Sequence, residues 1–97
     1  MNRNSIQVNN AFIEIGTHLK TWRLLYKLKA TQVAERAGIS LKVLRKIENG
    51  DSTVTTSALL EVVRSLGLLE TLTDSIDPLA SDLGKARIND KLPKRIK

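Results

Sequence analysis

ATQVAERAGISLKVLRKIENG, residues 30–50, reads as two short helices meeting at Gly38. Apolar or small residues stand at Val33, Ala34, Ala37, Ile39, Leu44 and Ile47, with polar and basic residues between them. That spacing gives each helix one buried face. Ala34 is small where two helices must approach closely, and Gly38 takes the left-handed conformation that ends a helix without a Cβ clash. Ser40 supplies an N-cap oxygen for the second helix. That helix buries Leu44 and Ile47, which leaves Leu41, Lys42, Arg45 and Lys46 on the opposite side.

Upstream, Phe12, Ile15, Leu19, Trp22 and Tyr26 recur every three or four residues from Ala11 to Lys27, so an amphipathic helix is expected there. Trp22 and Tyr26 lie on its apolar stripe, which favours core packing over base stacking. Gly16 weakens that helix by ~1 kcal/mol relative to Ala unless a second helix passes close by. Residues 1–10, polar and without periodicity, read as a flexible arm. Downstream, Asn49-Gly50 opens a loop. Thr55 or Thr56 then caps a helix with the core stripe Leu59, Val62, Val63 and Leu66, ended by Gly67. A last short helix, Leu68–Ile76, precedes the Asp77-Pro78 break.

The chain's 97 residues, 41% of them hydrophobic, allow one modest core and not two. Without cysteine, and with His18 alone, neither disulfides nor a zinc site can be built. No metal, cofactor or catalytic group is expected: a glycine-rich phosphate loop is missing, as are paired carboxylates with a placed base. No apolar run approaches a membrane span and the N-terminus lacks the apolar core of a signal peptide, so a cytoplasmic protein is expected. The charge is segregated. Residues 20–46 hold eight basic side chains against one acidic; residues 47–83 hold one basic against seven acidic; residues 84–97 hold six basic against one acidic. Basic charge therefore collects on the two-helix unit and on the tail, which points to a polyanion.

Four segments in order, IGTHLKTWR, VAERAGIS, LRKIENG and LLEVVRSLGL, make residues 15–68 resemble the Cro/repressor-type (lambda-repressor-like, XRE) helix-turn-helix family. The resemblance implies an all-α, compact five-helix DNA-binding domain spanning residues 11–76, with a flexible N-terminal arm (1–10) and a basic C-terminal tail (77–97). Its third helix would enter the major groove of double-stranded DNA. By the same resemblance Lys42 and Lys46 would read bases, with Ser40 and Leu41 beside them at the helix start, and Asn49 and Ser52 would contact phosphates; Thr31, Arg45 and, in place of the family's Gln contact, Lys29 are further phosphate candidates. Arg45 suits a partner contact as well. Lys29 and Ala30 replace the polar residue and Gln usual at the second helix's start, so Thr31 or Gln32 is expected to stand in for the missing cap. Arg23 and Glu48 would form an internal ion pair joining the first helix to the end of the recognition helix.

Fifth helices in this family often pair across a dimer, which would use Leu69, Leu72 and Ile76; an ordinary core role fits these residues as well. A homodimer would read a near-palindromic operator. LLEVVRSLGLLETL followed by a basic, Pro-containing tail most resembles HipB-like antitoxins, which accompany HipA-like kinase toxins. The expected function is thus a sequence-specific, autoregulating repressor of a toxin–antitoxin operon. The alternatives are a phage or mobile-element repressor, or a protein whose main work is neutralising a toxin.

Overall fold

The computed structural model describes residues 3–91. They form six α-helices and one 3-10 turn, with no strand among the described residues: α1 (Ile6–Leu25), α2 (Ala30–Ala37), α3 (Leu41–Glu48), α4 (Thr56–Ser65), α5 (Leu69–Ser75), the turn Pro78–Ala80 and α6 (Asp82–Lys91).

The first helix starts five residues before Ala11. Ser5 Oγ accepts from the Val8 N–H at 3.1 Å and caps it, so Ile6–Asn10 is helical where a flexible arm is expected; residues 1 and 2 lie outside the described residues. A side-chain cap at Ser5 was legible, but the Asn-rich run behind it hid the helix. α2 lacks an N-cap side-chain oxygen, and Gln32 compensates from the other direction: its Oε1 accepts from the Lys29 N–H at 2.8 Å. Lysine only donates, so the reciprocal bond of a capping box is not made. Gly38 then ends α2 at φ 70°, and Ser40 Oγ accepts from the Val43 N–H at 3.1 Å to start α3.

The core is Leu19 from α1, Val33, Ala34 and Ala37 from α2, Leu44 and Ile47 from α3, and Val62, Val63 and Leu66 at and beyond the end of α4. Leu44, Val33 and Val62 are its most completely enclosed large side chains. α2 packs against both α3 and α4, and Arg64 ties the α4 end down by donating to the Arg36 carbonyl at 2.9 Å.

α1 lies close against the end of α3, and two glycines make the approach. Gly16 is buried, and a Cβ there would overlap the Ile47 carbonyl oxygen. At Gly50, φ is 80° and a Cβ would fall within 2.6 Å of the Ile13 Cα. The condition under which Gly16 is not simply a weak point in its helix is therefore met.

Trp22 and Tyr26 are not core residues. They are 39% and 50% exposed, with ring centroids 5.6 Å apart. α1 packs on α3 rather than lying flat on α4 and α5, so its apolar stripe is only partly covered. The basic tail carries structure of its own. Gly84 passes so near the Pro78 carbonyl that a Cβ would overlap it, and Ser81 Oγ accepts from the Gly84 N–H at 3.0 Å. Residues 78–91 of the basic tail thus form a small helical appendage. Leu92 and Ile96 of the tail lie outside the described residues. With both ends projecting, the radius of gyration is 16.2 Å, against ~13 Å for a compact chain of this length.

Candidate nucleic-acid interface

Periodicity places Lys42, Arg45, Lys46 and Asn49 on one side of α3 and its C-cap, and all four are exposed. The opposite side, Leu44 and Ile47, is locked into the core, so the helix cannot roll without emptying it. α3 has eight residues, about 12 Å of axis, and an α-helix about 10–12 Å across with its side chains fits the width of a B-DNA major groove. Ser40 is exposed at its N-cap. Leu41, expected on the outward face, is half-buried and packs against the core cluster, as does Val43. The first turn of α3 is drawn inward, so what α3 presents is cationic and amide-bearing rather than apolar.

The Arg23 guanidinium and the Glu48 carboxylate meet in a two-point ion pair: Nε donates to Oε2 at 2.8 Å and Nη2 to Oε1 at 3.2 Å. Nη1 donates to the Leu28 carbonyl at 3.0 Å. The side chains are only 11% and 8% exposed. Both charges are spent on each other, and the pair fixes the end of α3 against α1.

Above this pair lies a hollow of about 120 Å³, bounded by Lys20, Ala30, Arg45 and Asn49 as well as by the pair itself. Among the described residues neither Lys20 nor Arg45 takes part in a salt bridge, so the rim carries two cations beside the start of α2, whose first amides favour negative charge. Lys20 escaped sequence reasoning. The signal was present: it stands one turn before Arg23, on the same side of α1, and the Arg23–Glu48 pair directs that side toward α3. Lys29 and Thr31 are exposed at the start of α2, Asn49 is exposed and Ser52 half-buried. The phosphate candidates thus form a border along α1, α2 and the loop after α3.

One acidic group adjoins this surface. Asp51 Oδ1 accepts from the Thr53 amide at 2.8 Å and from its hydroxyl at 2.6 Å. The Thr53 hydroxyl bond, then the amide bond, holds the Asp51 carboxyl below its ordinary value, with the Lys46 charge adding to the effect.

A family model described as a helix-turn-helix domain matches residues 14–76. The chain belongs to the helix-turn-helix domain family. No curated protein and no solved structure matches it. Membership points to DNA as the partner of this domain. The matched span takes in α1 through α5, the whole border of cations included, and stops before the 3-10 turn and α6. No helix among the described residues is long and apolar enough to cross a membrane.

Proposed function

We propose that this helix-turn-helix protein is a dimeric, sequence-specific transcriptional repressor of the Cro/repressor type that acts on its own operon in the cytoplasm and carries no catalytic activity. The observation that supports this best is the face of α3: Lys42, Arg45, Lys46 and Asn49 are exposed on an element whose other side is immobilised in the core. Lys42 and Lys46 bond guanine acceptors in the major groove. Lys20, Lys29, Thr31, Arg45, Asn49 and Ser52 hold the phosphates on either side and set the register. Dimerisation uses α5, where Leu72 is 39% and Ile76 79% exposed, while Leu69 leans on the core. The finer reading, an antitoxin of the HipB type with a HipA-like kinase partner, rests on the resemblance of LLEVVRSLGLLETL and the basic segment after it.

Fluorescence anisotropy on the chain's own upstream DNA and on a scrambled duplex, across a salt series, tests the reading. A preference of ~10³-fold or more for the upstream DNA at physiological salt is expected. Equal affinity for both duplexes, vanishing together as salt rises, would reject sequence-specific recognition.

A further inference from the structure

On the side of α1 away from Lys20 and α3, the fold leaves an apolar groove of about 300 Å³ between α1, α4 and α5. Ile15, Leu19 and Trp22 form one wall, Val63, Leu68 and Leu72 much of the other; the polar residues along it are His18, Thr71 and Ser75. A few residues beyond Leu72 comes a segment with the opposite property. Ile76, Leu79 and Leu83 are 79%, 53% and 64% exposed, and none of them belongs to the core cluster. The segment is nevertheless built: Asp77 Oδ1 accepts from the Leu79 N–H at 2.9 Å, and Gly84 seats α6 on the Pro78 carbonyl. An ordered segment displaying three large aliphatic side chains, beside an open apolar groove, marks an interaction surface.

We propose that the groove of each molecule receives the Ile76–Leu83 segment of a second copy of this chain, in a reciprocal exchange that closes a two-fold dimer. The proposal rests on the dimeric reading above and specifies its interface.

Charge selects this arrangement over helix α5 facing its own copy. From Glu70 to Asp82 the chain carries Glu70, Asp74, Asp77 and Asp82 and no basic residue. The residues lining the groove include no acidic side chain. Two α5 segments laid together bring like charges into contact, whereas an acidic, apolar segment laid in the groove meets an apolar lining and no like charge. The area is adequate. The exposed parts of Ile15, Trp22, Leu72, Ile76, Leu79 and Leu83 amount to something on the order of 600 Å² per copy, near the ~800 Å² per partner of a standard interface. Groove and segment belong to the same molecule, so each copy gives one and receives one and the assembly closes at two. Because the groove faces away from α3, both DNA-reading faces stay open.

Trp22 is the chain's single tryptophan, so its emission reports on the groove alone. Sedimentation velocity and Trp22 fluorescence of the full chain, followed together over a dilution series, should show a dimer whose Trp22 emission is blue-shifted and shielded from acrylamide, both signals fading as the dimer dissociates. Leu79→Asp should weaken self-association by about thirtyfold or more, as loss of a central apolar anchor does, and leave Trp22 quenchable with helicity unchanged; Leu83→Asp serves equally if the first variant misfolds. A dimer that persists in these variants with Trp22 still shielded places the interface elsewhere, overturning this proposal while sparing the dimeric reading. A chain that is monomeric at every concentration overturns both.

Discussion

At Gly16 two effects of one methyl group oppose each other. Alanine gains ~1 kcal/mol of helix propensity, but its Cβ would occupy the space of the Ile47 carbonyl oxygen, a backbone atom at the end of α3 that cannot swing aside. Overpacking of this kind costs ~1–3 kcal/mol or more, so Gly16→Ala should be destabilising in urea unfolding despite the better helix former. A neutral or stabilising result would show that α1 stands further from α3. Asp51 acts at the same scale through a proton. Its carboxyl is held below the usual value by Thr53, so the stability it supplies is present above the ordinary carboxylate pKa of 3.8 and is lost as pH falls through the lower, folded value. Asp51→Asn retains an acceptor for Thr53 but not the charge. Its deficit relative to the native chain should therefore appear above that range and close in stronger acid, as acid unfolding curves of the two proteins will show.

Between elements, the Arg23–Glu48 pair links α1 to the last residue of α3. Each side chain is about nine-tenths covered, so removing one leaves the other charged and enclosed, a loss of ~3–5 kcal/mol. Glu48→Ala should therefore destabilise strongly, and the double replacement Arg23→Met with Glu48→Leu should recover most of the loss. If single and double variants melt together, the pair is not a linked unit. The cations of α3 and α1 divide the work differently. Lys42→Ala should relax base preference at one position per half-site at a cost of ~1–3 kcal/mol. Lys20→Ala should weaken all duplexes alike and reduce the salt slope by about one. Anisotropy on single-base operator variants separates the two; loss of specificity from Lys20→Ala would put that residue at a base instead.

For the whole molecule, one recognition helix reads only a half-site, so in the proposed dimer affinity depends on how two of them are spaced. If the copies dock reciprocally through the α1 groove as proposed, the two α3 helices are held at a fixed separation, and half-sites one DNA turn apart, ~34 Å, are expected to bind best. Inserting half a turn, about five base pairs, turns one half-site to the far side of the duplex and should reduce affinity to that of a single half-site. Undiminished binding to the respaced operator would mean that the copies bind independently.

Residues 30–50 could be read from the chain because everything that shapes them is local: a 3.6-residue apolar period, a serine cap, and a glycine where φ is positive. Local patterns also exposed Lys42, Arg45 and Lys46, since whatever opposes Leu44 and Ile47 on a short helix must face outward. Leu41 shows the limit, because its position on the first turn fits an outward face until the neighbouring helices draw it toward the core. Trp22 and Tyr26 show it again. Their spacing matched a buried stripe, but burial depends on what lies opposite, and α1 sits down on α3 at Gly16 and Gly50 and leaves that part of the stripe open. The Lys20–Arg45 hollow and the apolar groove come from the same cause. Each is a space between helices distant in sequence, and its shape depends on how closely two backbones approach, a quantity that periodicity does not encode.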